Sequence, residues 1–336
     1  MALLSTVRLH PWVSSYEGLL EGADEEDEGA GPDVDPGVER PPQNWQPLRP
    51  EATAAPSALL FVDGVRRVEV GVVAQDGDRL AWGLFGAYGA GAVLCRPGQA
   101  TVMVEEVRRA LVLAASGQEG QVEVPAGSIV LRYWVASIGD DKGQKEVRYE
   151  VQRRMRELEA EVVAGSPARL EGSAVVVVDG PLTFLPRWAG QAVPVVGLVK
   201  THHRRYLEEE SLARCVTALT TGERTPLFLL LTEREADRRF SWYVRVAGAP
   251  PFHHPLVGIV RLETWAQMGL ELARRLADLT ALLLPRFAPP AAWDSRAPAN
   301  LYPVAALEER LRHGLGDYQW VRRSIEAYIY RQGGLS

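Results

Sequence analysis

Four consecutive valines, Val175–Val178, run straight into Asp179-Gly180-Pro181 and make the strongest local pattern in the chain. A continuous β-branched run fits a strand buried on both faces, and the glycine and proline after it turn the chain out. The pattern recurs at Leu59–Gly64, LLFVDG, where an apolar run meets Asp63-Gly64. Each copy predicts a strand that ends in a carboxylate at the rim of a buried sheet. Asp-Gly is also a common turn, so the repetition, more than either copy, points to a site.

The remaining pattern predicts a mixed α/β protein. Strand signals dominate 58–94: Val68, Val70 and Val72 alternate with Glu69 and Gly71, and a glycine-rich run, RLAWGLFGAYGAGAVLC, follows. These read as adjacent antiparallel strands, the glycines marking close approach of a neighbouring backbone. Residues 99–114 are mixed, and 127–137 read as a strand. From Lys142 to Ala164 the period becomes helical, with Val147, Val151, Met155, Leu158 and Val162 on one stripe and Glu150, Arg154, Glu157 and Glu161 on a neighbouring one. Further strands are predicted at 195–199, 225–231, 240–248 and 256–264. Helices are predicted at 204–219, 268–285, 304–313 and 318–330, with a short helical segment near Trp12–Leu20.

Composition divides the chain. Ten acids and no lysine or arginine lie between Glu17 and Glu39, in a tract rich in glycine and proline. Such a stretch cannot build a core, so residues 1–50 are expected to form an acidic, Pro-rich arm and residues 51–330 the folded domain. The formal net charge of −6 resides in that arm; the rest is slightly basic, and a basic groove for nucleic acid is compatible with it. Two cysteines, Cys95 and Cys215, make neither a disulfide framework nor a zinc cluster. There is no apolar run long enough to span a bilayer and no secretory start, so a cytoplasmic protein without membrane attachment is expected.

The acids supply the candidate chemistry. Asp63 and Asp179 at strand ends, with Glu157 on the intervening helix and Glu161 as its alternative, form an oxygen-only set that suits manganese or magnesium. Most glutamates of that helix are equally well read as i,i+4 partners of Arg153, Arg154 and Arg156. Lys200, just past the 195–199 strand, is either a solvated strand end or the cation that neutralises a phosphate. Arg245 and Arg261 share a predicted hairpin and suit phosphate, although Glu263, two residues on, could pair with Arg261. His202 and His203 point in opposite directions on an extended segment and make a poor ligand pair. No G-x-S-x-G elbow, P-loop or dinucleotide fingerprint is present.

In this order LLFVDG, VVVVDGPL, VVGLVK, WYVR, GIVRLE and RAPANLYPVAALE resemble the NurA nucleases over roughly residues 55–325. The resemblance implies an RNase H-like core with a mixed central sheet flanked by helices. It implies a manganese-dependent homodimeric nuclease, with 5'-3' exonuclease and endonuclease activity on single- and double-stranded DNA. It also implies work with the hexameric HerA ring ATPase in DNA end resection. Carried over by position, Asp63, Asp179 and Glu157 or Glu161 hold the metal and Tyr302 positions the strand. Lys200, Arg245, Arg261 and Arg296 meet phosphate. Archaeal-type members place a histidine nine residues after that tyrosine; here the position is Leu311, and His313 is the nearest substitute. That departure keeps open a catalytically weak DNA-binding clamp of a ring ATPase. An RNase H-like or Argonaute-like protein acting on RNA is the other alternative.

Overall fold

Val175–Val178 are buried on both faces of a central sheet. The computed structural model describes residues 7–9, 33–50, 58–76, 79–117, 119–166, 174–186, 193–200, 206–248, 250, 252–290 and 297–333. In chain order the strands are β1 Val7–Leu9, β2 Asp33–Asp35, β3 Ala58–Asp76, β4 Arg79–Arg96, β5 Gln99–Leu113, β6 Gln121–Ala126, β7 Ile129–Ser137, β8 Ala174–Asp179, β9 Val195–Val199, β10 Phe228–Leu231, β11 Arg239–Arg245 and β12 Ile259–Trp265. The helices are α1 Gln144–Ala164, α2 Glu210–Thr217, α3 Leu270–Leu283, α4 Tyr302–Gly314 and α5 Tyr318–Gly333. The predicted Trp12–Leu20 segment lies outside the described residues.

One sheet runs in the order β2-β10-β11-β12-β9-β8-β3-β4-β5-β7-β6, with β1 on β3. β4 runs antiparallel to both of its neighbours, β3 and β5, while β3, β8 and β9 are parallel. The order β5-β4-β3-β8-β9, with α1 on the crossover into β8, is the RNase H-like core expected from the sequence. Parallel strands in the middle of a sheet must be covered on both sides, which is why β8 and the start of β3 read as unbroken apolar runs. Leu60, Val62, Val176 and Val178 pack with Val151, Met155 and Leu158 of α1. Phe61, Val175, Val177, Val196 and Leu198 pack on the opposite face, with Leu276 of α3 and Val304, Leu307 and Leu311 of α4. A fully buried side chain such as Phe61 contributes about 1.5–3 kcal/mol. A third core lies between β5–β7 and α5.

Three expectations change. β3 does not end at Asp63-Gly64 but continues to Asp76, paired with β4 throughout. Residues 99–113 are a full strand. The acidic tract is tied to the fold along its later part: β2 pairs antiparallel with β10, and Glu39 accepts from Arg224 at 2.9 Å and from the Leu227 amide at 2.7 Å.

Candidate active site

β3 and β8 are last paired at Val62 and Val178, so Asp63 and Asp179 come next, on neighbouring strands at one level. Side chains alternate along a strand. Phe61 and Val177 face α4, and Asp63 and Asp179 therefore face that side too. By the same alternation Lys200, after Val196 and Leu198, joins them from β9. Its ammonium donates to Asp179 Oδ2 at 2.8 Å and to Asn300 Oδ1 at 3.0 Å. Asn300 lies two residues before Tyr302, which opens α4 with its ring exposed. The site thus forms where β8 and β9 end beside the interior of the longer β3, and strands that stop at the carboxyl end leave a crevice there.

Asp63 is only 5% exposed and accepts from the Gly64 amide at 2.8 Å. Burial, and then the charge of Asp179, push its carboxyl well above the usual range; Lys200 opposes this, and Glu159 and Glu308 add to it. Burial works against the Lys200 ammonium, but Asp179 and Asp63 outweigh it and raise its proton affinity. Glu308, half-buried on α4, is pushed up by burial and by Asp179, against the pull of Lys200.

The helix acid beside Asp63 is Glu159, which sequence reasoning missed. Its carboxylate is 1% exposed, and a Cβ built on Gly64 would lie 2.5 Å from Glu159 Oε1. Gly64 is therefore the gap through which α1 brings an acid against β3. The signal was in the sequence: Glu159 follows Met155 by four residues and so belongs to the apolar stripe. Glu157 and Glu161 are instead half-exposed. Glu157 pairs with Arg153, and Glu161 with Arg108 at 2.6 Å. Each lies two residues from Glu159, a rotation of about 200° that turns it to the other side of α1, so the structure does not bring either to the aspartates.

The hairpin arginines have other partners. Arg245 is buried and donates to four backbone carbonyls, those of Leu219, Val257, Pro255 and Thr217. Arg261 is 3% exposed, 2.5 Å from Glu263 Oε2 and stacked 4.6 Å from the Tyr206 ring centroid. Neither guanidinium is presented to a ligand. Glu263 is fully buried between Arg261 and Arg239 and accepts from the Leu182 amide at 2.7 Å, just after the Asp179 turn. Leu311 is fully buried, and a Cβ on Gly89 or Gly91 would meet its Cδ2 at 3.5 Å. His313 is exposed at the far end of α4, about 16 Å along the axis from Tyr302 at 1.5 Å per residue. Arg296, His202 and His203 lie outside the described residues.

Among the described residues, no three acids, histidines or cysteines already stand close enough to enclose an ion. The donor chemistry nonetheless fits one. Asp63, Asp179 and Glu159 offer carboxylate oxygens only, the choice of a hard divalent cation. The raised proton affinity of Asp63 comes first from burial and then from the nearby carboxylates, and a cation would offset both. No described helix is long and apolar enough to cross a membrane.

The NurA domain profile matches residues 65–309, starting two residues after Asp63 and taking in Glu159, Asp179, Lys200, Tyr302 and Glu308. Similar solved structures include the NurA nuclease from Sulfolobus solfataricus, 10% identical, with a TM-score of 0.49 over 85% of this chain and 88% of that chain. The catalytic domain of human endonuclease V is 14% identical, with a TM-score of 0.34 over 81% and 92%. Endonuclease V from Bacillus subtilis is 12% identical, with a TM-score of 0.32 over 80% and 87%. No curated protein matches the sequence.

Proposed function

This chain belongs to the NurA domain family, and from that premise we propose that it is a metal-dependent nuclease hydrolysing phosphodiester bonds in DNA. The observation that carries this reading is the pair Asp63 and Asp179 on adjacent parallel strands, with Glu159 reaching in across Gly64. These three would hold the ion. The chemistry a bound divalent cation supplies in such a site is charge neutralisation at a phosphoryl oxygen and a lowered pKa for the attacking water.

The chain's own groups do the rest. Lys200, held by Asp179 and Asn300, places a positive charge beside the acids where a phosphate oxygen would carry negative charge. Tyr302, exposed at the first turn of α4 and two residues after Lys200's partner Asn300, would steer the bound strand. Glu308 adds negative charge on the α4 side and keeps Lys200 protonated. Following the family resemblance, manganese is the preferred ion with magnesium as the alternative. The substrates are single- and double-stranded DNA, cut by 5'-3' exonuclease and endonuclease action. The working form is a cytoplasmic homodimer coupled to a HerA-type ring ATPase in end resection and repair. Buried Leu311, where archaeal-type members carry histidine, favours one second reading: a clamp subunit that binds DNA and cleaves it weakly.

End-labelled single- and double-stranded DNA, and RNA of the same sequence, incubated with Mn2+, Mg2+ or EDTA, test these readings. Manganese-dependent cleavage of DNA is expected, with Asp63→Asn and Asp179→Asn each lowering the rate by more than about 100-fold. Full cleavage in both variants, or cleavage indifferent to EDTA, overturns the nuclease assignment at this site. Binding without cleavage selects the clamp.

A further inference from the structure

Most arginine–glutamate pairs on α1 are ordinary helix-surface contacts. Arg153 and Arg154 join Glu150 at three- and four-residue spacing, and Arg153 also joins Glu157. Arg156 differs. Its side chain is only 12% exposed, and its acceptors lie on two different elements. Nη1 donates to Glu159 Oε2 at 2.9 Å and Oε1 at 3.2 Å, and to the backbone carbonyl of Asp179 at 3.0 Å. Gly180 makes room for this. It has φ +104°, and a Cβ there would lie 3.1 Å from Arg156 Nη2. The glycine after Asp179 therefore does more than turn the chain: the guanidinium lies against it.

The contact ties the helix acid to the strand-end acid. Glu159 is directed at the gap over Gly64, and the backbone of Asp179 is held where β8 stops. A planar guanidinium with several fixed donors can serve both acceptors, whereas an ammonium presents a single point of charge. Groups that orient metal ligands from behind typically affect metal affinity or activity by about 10- to 100-fold.

We infer that Arg156 is a positioning residue of the metal centre, which sets the separation and orientation of Glu159 relative to Asp179. The inference rests on the proposed metal-dependent nuclease. Arg156 acts through Glu159 and the Asp179 backbone, so it bears on ion affinity more than on the chemical step at saturating ion.

The test is Mn2+ titration of the full-length chain by calorimetry without DNA, with DNA cleavage followed as a function of Mn2+ in parallel. Arg156→Met is expected to weaken Mn2+ binding by about 10- to 100-fold and to shift the Mn2+ requirement of cleavage by the same factor. The rate at saturating Mn2+ recovers to near that of the parent chain. Arg156→Lys is expected to fall between the two. A merely structural role would lower Tm without moving the Mn2+ midpoint of the folded protein. Parent-like Mn2+ affinity in folded Arg156→Met overturns the inference. If that variant does not fold, parent-like affinity in Arg156→Lys does so. If Asp63→Asn loses Mn2+ and the Arg156 variants do not, this inference alone fails. If the parent chain takes up no Mn2+, both it and the underlying reading fail.

Discussion

At the scale of single residues the site is governed by the burial of carboxylates close to one another. Burial and the neighbouring Asp179 carboxylate raise the pKa of Asp63 in the folded state. A carboxyl with a raised folded pKa binds its proton more tightly folded than unfolded. Its contribution to stability is therefore full below the ordinary carboxylate range and is lost as pH rises through the folded value. Asp63→Asn removes that loss. Thermal unfolding of the metal-free chain should show the variant melting higher than the parent at pH 7–8, and the difference should shrink toward about pH 4. A gain of 1 kcal/mol corresponds to roughly 1–2 °C in a chain of 336 residues. An Asn variant that melts lower at pH 8 would falsify this account of Asp63. Higher stability with lost cleavage is the trade-off expected when a functional site concentrates like charges. These residues differ in how far the sequence exposed them. The apolar runs flagged Asp63 and Asp179 directly. Glu159 was hidden among several glutamates on one helix: its spacing from Met155 puts it on the apolar stripe, but spacing does not say which strand residue that stripe meets.

At the scale of elements, the decisive contact is α1 on β3. β3 passes through Asp63-Gly64 without turning, so Gly64 is required for space and not for a turn. A Cβ there would lie 2.5 Å from Glu159 Oε1 and 2.9 Å from Met155 Cγ. Gly64→Ala should therefore push Glu159 aside. Urea denaturation is expected to show a loss of about 1–3 kcal/mol from overpacking, and manganese-dependent cleavage should fall more steeply than stability. Unchanged cleavage would mean that the acid over Gly64 has no part in the reaction. On the other face, α4 is fixed at its C-terminal end. Arg67 donates to the carbonyls of Gly316 and Leu315 at 2.7 and 2.9 Å, and Arg109 to Leu315 at 3.0 Å. Cations there satisfy the free carbonyls of a helix end. They leave the Tyr302 end of α4 to define the rim of the site, and they leave His313 remote from it.

At the scale of the whole molecule, the arm and the sheet are one problem. Without β2, strand β10 would present an open edge. Glu39 anchors the segment: it is held below the usual carboxylate range because hydrogen bonds and charge from Arg224, with the Leu227 amide, outweigh its burial. Arg224 is 4% exposed and also meets Asp278 of α3 at 2.6 Å. Glu39→Ala leaves a buried guanidinium short of its partner and should cost about 3–5 kcal/mol in denaturant unfolding at pH 7. A cost below 1 kcal/mol would show that the arm is only loosely attached. Composition alone gave no hint of this, since it counts acids but not which one finds a buried arginine 185 positions away.

The chain's hydrophobic pattern by itself determined the mixed α/β class, the two doubly buried strands with their aspartates, and most helices. These follow from local periodicity, which the residues carry with them. Only the tertiary structure decided that β3 runs on past Asp63 and that Glu159 rather than Glu157 or Glu161 meets it. The same holds for the burial of Arg245 and Arg261 in carbonyl and carboxylate cages. Each of those outcomes depends on the rotation of one element against another, a long-range packing choice with no local sequence period to announce it.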